Sequence, residues 1–392
     1  MALKILIDAR HIRDFGFGTY IRNLVRGLAV QNSGYRFFLV CHREDKHEFD
    51  GLPDNFHVLF YERSDSAPLD QVAFPMFARG LRADLIHIPL NVVPLMLPRP
   101  YVVTVHDLGS LVFDNRTGWR HEARRLQIRR GLLRAEKVIA VSEATRTDIE
   151  NLLGIPSSRT TCIYGAADPT FTHHHPGAAA RAAGPDSWER DRRRILERYQ
   201  VNYPFLLYAG TIRPQKNIPR LVEAFALLRG ELENHPIYRD LRLIIIGDEI
   251  SRYPAVRRAV MQSRVENAVR FLGFVPLDTL RVFYEAASAF IFVSLYEGFG
   301  LPPLEAMASG TPVISSSTTS LPEVVGDAAH IVNPENVFDI ARGIKEVLLD
   351  DGLRATLVER GFARSRHFTW EETARQVLET YREAGFSRKL PI

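Results

Sequence analysis

Two doubly wound α/β domains facing a central cleft are the architecture this sequence predicts, and three observations predict it. Short buried-strand patterns alternate with helical ones through the first half of the chain. The alternation resumes after a compositional break, THHHPGAAARAAGP at 172–185, which is rich in Ala, Gly and His and without periodicity. A chain of 392 residues with 46% hydrophobic content is also long enough to bury two ordinary cores. Alternation of this kind gives parallel sheets covered by helices on both faces, with the functional loops beyond the carboxyl ends of the strands.

In the first series the apolar runs at 3–7, 35–41, 58–61, 85–88, 101–105 and 137–141 read as buried strands. Helical patterns lie at 19–31, 67–81 and 119–133. Beyond the break, a charged helix at 187–199 leads into strands at 205–209, 241–246, 269–272, 289–294 and 312–315. Helices at 219–228, 255–262, 277–286 and 303–308 separate them. The segment 370–384 is amphipathic, with Trp370, Ala374, Val377, Leu378 and Tyr381 near helical spacing, and no strand follows it, so it caps or crosses between domains. The expected division is an N-terminal domain of 1–180 completed by 371–392, and a C-terminal domain of 187–370.

Composition narrows the function classes. Two cysteines far apart in sequence, Cys41 and Cys162, argue against a disulfide framework and fit a reducing cytosol. The apolar run of MALKILIDAR ends at Asp8, too short for a signal peptide, and no 18-residue apolar stretch exists for a membrane span, so a cytoplasmic location is expected. The net charge is only +4, yet 116–134 carries seven arginines against Glu122, a balance of +6. That run reads either as a solvated helix face or as a patch for anionic lipid headgroups or an anionic acceptor. Trp119, Leu126, Ile128, Leu132 and Leu133 are its available apolar contacts. Nucleic acid is not an expected partner, because the arginines spread around the helical wheel and no recognised nucleic-acid module accompanies them.

Four loops carry candidate chemistry. The stretch EGFGLPPLEAMASG at 297–310 reads as a tight loop and a helix, with Pro302 and Pro303 where a first turn accepts them and Gly310 where a helix can end. Its backbone amides from Gly298 through Phe299 and Gly300 to Leu301 would face an anion or sugar hydroxyls at a positive helix end. Glu297 and Glu305 bracket them. They read as an acid and base pair, a metal site or hydroxyl acceptors, and the spacing favours acceptors reaching different parts of one ligand. Glu305 alone also reads as a first-turn charge that favours the helix dipole.

GTIRPQKN at 210–217 puts Arg213 and Lys216 between a strand and a helix, able to neutralise a diphosphate or simply forming a solvated basic turn. Lysine occurs only six times in the chain, which makes one at this corner more telling. In DFGFGTY, Gly16 and Gly18 allow close backbone approach ahead of a helix, although a plain turn fits as well and the third glycine of a dinucleotide fingerprint is missing. In VVTVHDL, His106 and Asp107 lie beyond a strand end, where a histidine can reach a cleft and its acidic neighbour can tune its pKa; a surface or capping histidine is the plain alternative. His173, His174 and His175 could bind a metal, but adjacent histidines rarely converge on one ion. No Walker A sequence, G-x-S-x-G elbow or D-x-D pair occurs, so no metal or cofactor is expected and a diphosphate would be held by Arg213, Lys216 and amides.

These residues together resemble the retaining glycosyltransferases of family 4. Glu297 to Glu305 matches the E-x7-E signature, and GFG, SGTPVI, SLPEVVGDAA, GTIRPQKN, VHDL, GFGTYIRNL and VSEATRTDI look like the same family. The resemblance runs from Ile5 to about Tyr381 and implies the GT-B fold of two Rossmann-like domains. It implies that Glu297 holds donor-sugar hydroxyls with the amides of Gly298, Phe299 and Gly300, and that Glu305 holds the ribose. Arg213 and Lys216 would stabilise the leaving diphosphate, which Gly16 contacts from the opposite domain. His106 would touch the donor sugar, and the loop after a strand at Gly273, Phe274 and Val275 would lie against the base. Many relatives carry an Arg directly after the glycine at 210, where this chain has Thr211. The resemblance further implies transfer with retention, by a front-face path in which the leaving phosphate takes the acceptor proton, without a metal. GTIRPQKNIPRLVEAF and GFGTYIRNL look most like bacterial mannosyltransferases of polysaccharide assembly, which points to GDP-mannose as donor and a saccharide or lipid-linked acceptor. A UDP-glucose-type donor, and a non-transferring nucleotide-sugar enzyme or an inactive scaffold on the same fold, stay open.

Overall fold

The computed structural model describes residues 3–14, 16–31, 33–63, 69–113, 118–172 and 185–386. His173, His174 and His175, and nearly all of the compositional break, lie outside them. The chain divides into two compact units, residues 1–165 with 368–392 and residues 166–367. The first boundary falls earlier than the sequence reading placed it, because 166–171 packs with the second unit: the Phe171 ring meets Tyr284 edge-on at 5.4 Å.

The first unit holds a parallel sheet of β1 (Lys4–Asp8), β2 (Arg36–Cys41), β3 (Phe56–Phe60), β4 (Leu85–Ile88), β5 (Tyr101–Val105), β6 (Lys137–Ala140) and β7 (Thr160–Cys162). Among the described residues it is seven-stranded, in the order β3-β2-β1-β4-β5-β6-β7. Strands such as YVVTV are buried along their whole length, as a sheet covered on both faces requires. The helices Asp70–Gly80 and Trp119–Arg134 share one of those faces, where Phe74, Ala78, Ile128 and Leu132 join Ile86 and Val103 in one core. The helix expected over 67–81 forms as Asp70–Gly80, and Pro75 inside it is buried. The C-terminal helix Trp370–Phe386 returns to this unit and buries Ala374, Val377, Leu378 and Tyr381, the stripe the spacing indicated.

The second unit holds β8 (Phe205–Ala209), β9 (Arg242–Ile246), β10 (Val269–Gly273), β11 (Ala289–Phe292), β12 (Val313–Ser316) and β13 (Ala329–Val332). Their order is β10-β9-β8-β11-β12-β13, again all parallel. In each unit the strand order reverses once, between β1 and β4 and between β8 and β11, and the crevice at such a reversal is where α/β sheets bind ligands. Two strands went unread in the sequence. TTC in β7 and AHIV in β13 are short, partly polar edge strands without an apolar run. The helices Glu143–Leu153, Val337–Leu349 and Asp351–His367 were likewise unassigned; the first is opened by Ser142, whose Oγ accepts from Thr145 N at 2.9 Å, and closed by Gly154.

Candidate active site

In the second unit the two loops at the reversal meet. Lys216, after β8, donates from Nζ to both oxygens of Glu297, after β11, at 2.6 and 2.8 Å. Both side chains are largely shielded, 16% and 11% exposed, and the ammonium lies 5.4 Å from the Phe292 ring centroid. Backbone contacts fix the approach: Leu295 N donates to Gln215 O at 2.8 Å. Asn217, buried and in the left-handed conformation, donates from Nδ2 to Val293 O at 3.0 Å and to Pro334 O at 2.7 Å. One side chain therefore ties the loops after β8, β11 and β13 together.

The Glu297 loop is held from its other side by the segment after β12. Glu297 N donates to Thr319 Oγ1 at 3.0 Å, and Ser320 Oγ reaches Glu297 O at 3.0 Å and Phe299 O at 2.6 Å. Gly300 then caps the helix Leu301–Ala308, with the two prolines in its first turn as expected. Arg213, expected beside Lys216 on a diphosphate, is exposed and among the described residues forms no ion pair.

Glu305 does not behave as a solvated first-turn charge. It is 8% exposed, and Tyr284 donates its hydroxyl to Oε2 at 3.2 Å. Burial raises its pKa to about 8, and the negative charge of Asp168 adds to the rise. At neutral pH the group is therefore mostly a carboxylic acid, able both to donate and to accept a hydrogen bond.

Glycines line the ends of three adjacent strands. Gly210, Gly247 and Gly273 follow or close β8, β9 and β10, and a Cβ on Gly247 would stand 2.0 Å from Gly210 O. Only glycine permits the two backbones to run so close. Beyond them Phe274 is 75% exposed, a free aromatic face, whereas Val275 is 3% exposed, so in the loop expected against a base it is the Phe274 side chain that faces outward and Val275 that is buried.

In the first unit Gly16, with φ 83, caps the helix Phe17–Val30 at the end of the loop after β1. His106, just beyond β5, donates from Nε2 to Pro89 O at 3.1 Å, which leaves Nδ1 as its lone-pair acceptor. Its backbone N donates to Asn91 Oδ1 at 3.1 Å, and the ring packs against Phe17 at 4.9 Å and Tyr20 at 4.7 Å. The expected tuning by Asp107 is overridden. Burial lowers the His106 pKa to about 4 against the opposing pull of Asp107, whose carboxylate accepts instead from Gly109 N at 2.8 Å. The imidazole is neutral across the physiological range.

The arginine run divides by use. Arg116 and the Arg120 side chain lie outside the described residues. Arg125 and Arg129 donate to the carbonyls of Leu152 and Leu153 at 3.0 and 2.9 Å, and Arg134 donates to those of Leu95 and Leu97. Ile128 and Leu132, counted among the apolar contacts of a surface patch, are fully buried; Trp119 and Leu126 are exposed. A groove beside this helix brings Arg130 and Arg134 together with Arg79, Arg99 and the exposed Leu95 and Met96.

No group of three or more His, Cys, Asp and Glu is placed to hold a metal among the described residues. Gly247, Thr319, Tyr284 and Asp168 escaped the sequence reading, and Asn217 and Ser320 entered it only as members of the motifs GTIRPQKN and SLPEVVGDAA, without a role. Each acts on a partner distant in sequence.

The chain is similar to known proteins. The family profile described as glycosyl transferases group 1 matches residues 190–364, and that of glycosyltransferase family 4 matches residues 16–171. The O-antigen chain mannosyltransferase B of Escherichia coli is 32% identical over 78% of this chain and 75% of its own length. The serotype-specific mannosyltransferase WbdA of the same organism is 32% identical over 66% of this chain, a match that spans only 29% of that longer protein. Among solved structures, Anabaena HepE in complex with UDP and glucose superposes with a TM-score of 0.73 at 18% identity, covering 97% of this chain and 99% of its own. Sucrose-phosphate synthase of Thermosynechococcus elongatus gives 0.72 at 21%, covering 97% and 98%. These two likenesses speak to the fold.

Proposed function

The chain belongs to the family 4 glycosyltransferases, and from that premise we propose that it transfers mannose, with retention and without a metal, from GDP-mannose to a saccharide or lipid-linked acceptor. The observation that carries the reading is the Lys216–Glu297 pair at the reversal of the second sheet. An ammonium there suits a diphosphate, and a carboxylate one hydrogen bond away suits the hydroxyls of the attached sugar. The names of the Escherichia coli relatives support mannose over glucose.

In this reading the arriving diphosphate replaces Glu297 as the partner of Lys216, and the released carboxylate turns to the sugar. Lys216 then stabilises the charge that grows on the departing phosphate, a preorganised contact that needs no rearrangement during transfer. Glu305, as a neutral acid held by Tyr284, is assigned to the ribose diol, where it can donate to one hydroxyl and accept from the other. Gly16 is assigned to the diphosphate and neutral His106 to the sugar, offering Nδ1 as acceptor. Phe274 supplies a face for the base. Peripheral contact with an anionic membrane, through the arginine-lined groove of the first unit, is part of the same proposal.

Thermal shift with nucleotide sugars tests the donor. GDP-mannose is expected to raise Tm more than UDP-glucose, and Lys216→Ala to lower turnover by about 100-fold. A larger shift with UDP-glucose would reject the donor, and near wild-type turnover of the variant would reject the role of Lys216.

A further inference from the structure

We propose that the C-terminal helix Trp370–Phe386 sets the orientation of the His106 ring through a buried chain of hydrogen bonds, with Tyr20 and Thr104 as positioning residues. The chain begins on that helix. Tyr381 Oη lies 2.7 Å from His87 Nδ1, His87 Nε2 lies 2.8 Å from Thr104 Oγ1, and Thr104 Oγ1 lies 3.3 Å from Tyr20 Oη. All four residues are at most 2% exposed. The Tyr20 ring then meets the His106 ring edge-on, at 4.7 Å and 86°.

The chain is directional. Burial lowers the pKa of His87 to about 3, so its ring is neutral, with one nitrogen donating and the other accepting. If Tyr381 donates to Nδ1, then Nε2–H must donate to Thr104, whose hydroxyl proton goes on to Tyr20. The reverse sense is equally self-consistent, but mixed senses leave a buried polar atom without its partner, at a cost of roughly 1–3 kcal/mol. Moving any hydroxyl therefore disturbs the next one.

A second route from the same helix converges on the same ring. Trp370 packs on Tyr20 at 5.8 Å and 69°. The helix Phe17–Val30 that carries Tyr20 meets the C-terminal helix backbone to backbone: a Cβ on Gly27 would lie 2.7 Å from Trp370 O, so only glycine permits this approach. Tyr20 is thus held at its hydroxyl through the sheet and at its ring by the helix directly. What it offers in return is one wall of the His106 site; Phe17, at 4.9 Å, is another.

The proposal rests on the assignment of His106 to transfer, and its test separates the two. Turnover of GDP-mannose is measured for Thr104→Val, Thr104→Ser and Tyr381→Phe, together with the NMR signals of the His106 ring in histidine-labelled protein. Thr104→Val and Tyr381→Phe are each expected to lower kcat about tenfold, the scale of a small misplacement of a reacting group, with KM within about twofold. Thr104→Ser should restore kcat. The double variant Thr104→Val with Tyr381→Phe should lose little more than the worse single one, because both break one route. The His106 signals should move in each impaired variant. Variants that lose thermal stability but keep both kcat and the His106 signals would overturn the coupling and leave the chain a packing feature. Full turnover in His106→Ala, with the signals still moving in Tyr381→Phe, would establish the coupling and sink the catalytic assignment instead.

Discussion

A carboxyl buried beside Tyr284 and facing the charge of Asp168, Glu305 keeps its proton to about pH 8, whereas in the unfolded chain it loses it near 4.5. Between those values the folded state binds the extra proton, so this group makes stability fall as pH rises through the window. Glu305→Gln removes the titration and keeps the shape. Its Tm relative to wild type should therefore climb between pH 5 and pH 9, and a difference that stays flat across that range would show that Glu305 is ionised in the fold. The sequence foretold the position of this acid through the E-x7-E spacing but not its state. Its state depends on burial in the fold and on the nearby charge of Asp168, neither of which local spacing shows. Lys216 and Glu297 were more legible, because each lies in the loop that follows a buried strand, where few other roles exist for it. The burial of Val275 beside the exposed Phe274 was not legible, because the two follow a strand in a loop whose sequence does not show which side chain faces outward.

Among the elements, the end of β9 depends most on backbone fit. Gly247→Ala would place a methyl 2.0 Å from Gly210 O, and neither backbone segment can yield without parting β8 from β9. The expected outcome is a loss of about 1–3 kcal/mol in denaturant unfolding, with a disproportionate loss of the Tm shift given by a nucleotide sugar. Retention of the full shift would mean that the glycine row does not shape the site. The buried strands were readable because FLLYA or YVVTV has no solvent face to disguise it. The edge strands β7 and β13 were not, since pairing on one side lets polar residues into them. The arginine helix was read correctly as a helix and only partly as a surface. Charge is visible in sequence, but the carbonyls of Leu152 and Leu153 that engage two of its arginines are not.

Across the whole molecule, the net charge of +4 hides a local cluster of arginine in the first unit, where the groove of Arg79, Arg99, Arg130 and Arg134 adjoins exposed Leu95 and Met96. Met76 and Val72, on the helix that also carries Arg79, are exposed as well. Co-sedimentation with anionic vesicles should be strong at low salt and fall steeply as salt is raised, and vesicles of neutral lipid should capture little. Absent or salt-independent binding would reject membrane contact. None of the described helices is long and apolar enough to cross a bilayer. The division into two units was legible because a composition break and a second alternating series mark it; the limit at 165 follows packing, such as that of Phe171 on Tyr284, which no local pattern shows.

Asn217 also has a consequence for the order of events during synthesis. Its amide joins the loop after β8 to Val293 and to Pro334, the latter 117 residues downstream. Until Pro334 has left the ribosome, the Asn217 amide lacks one of its two acceptors, so a nascent chain exposing β8 to β11 holds the lysine loop less firmly than the complete chain does. The final setting of this loop therefore comes late in synthesis, after β13 has emerged.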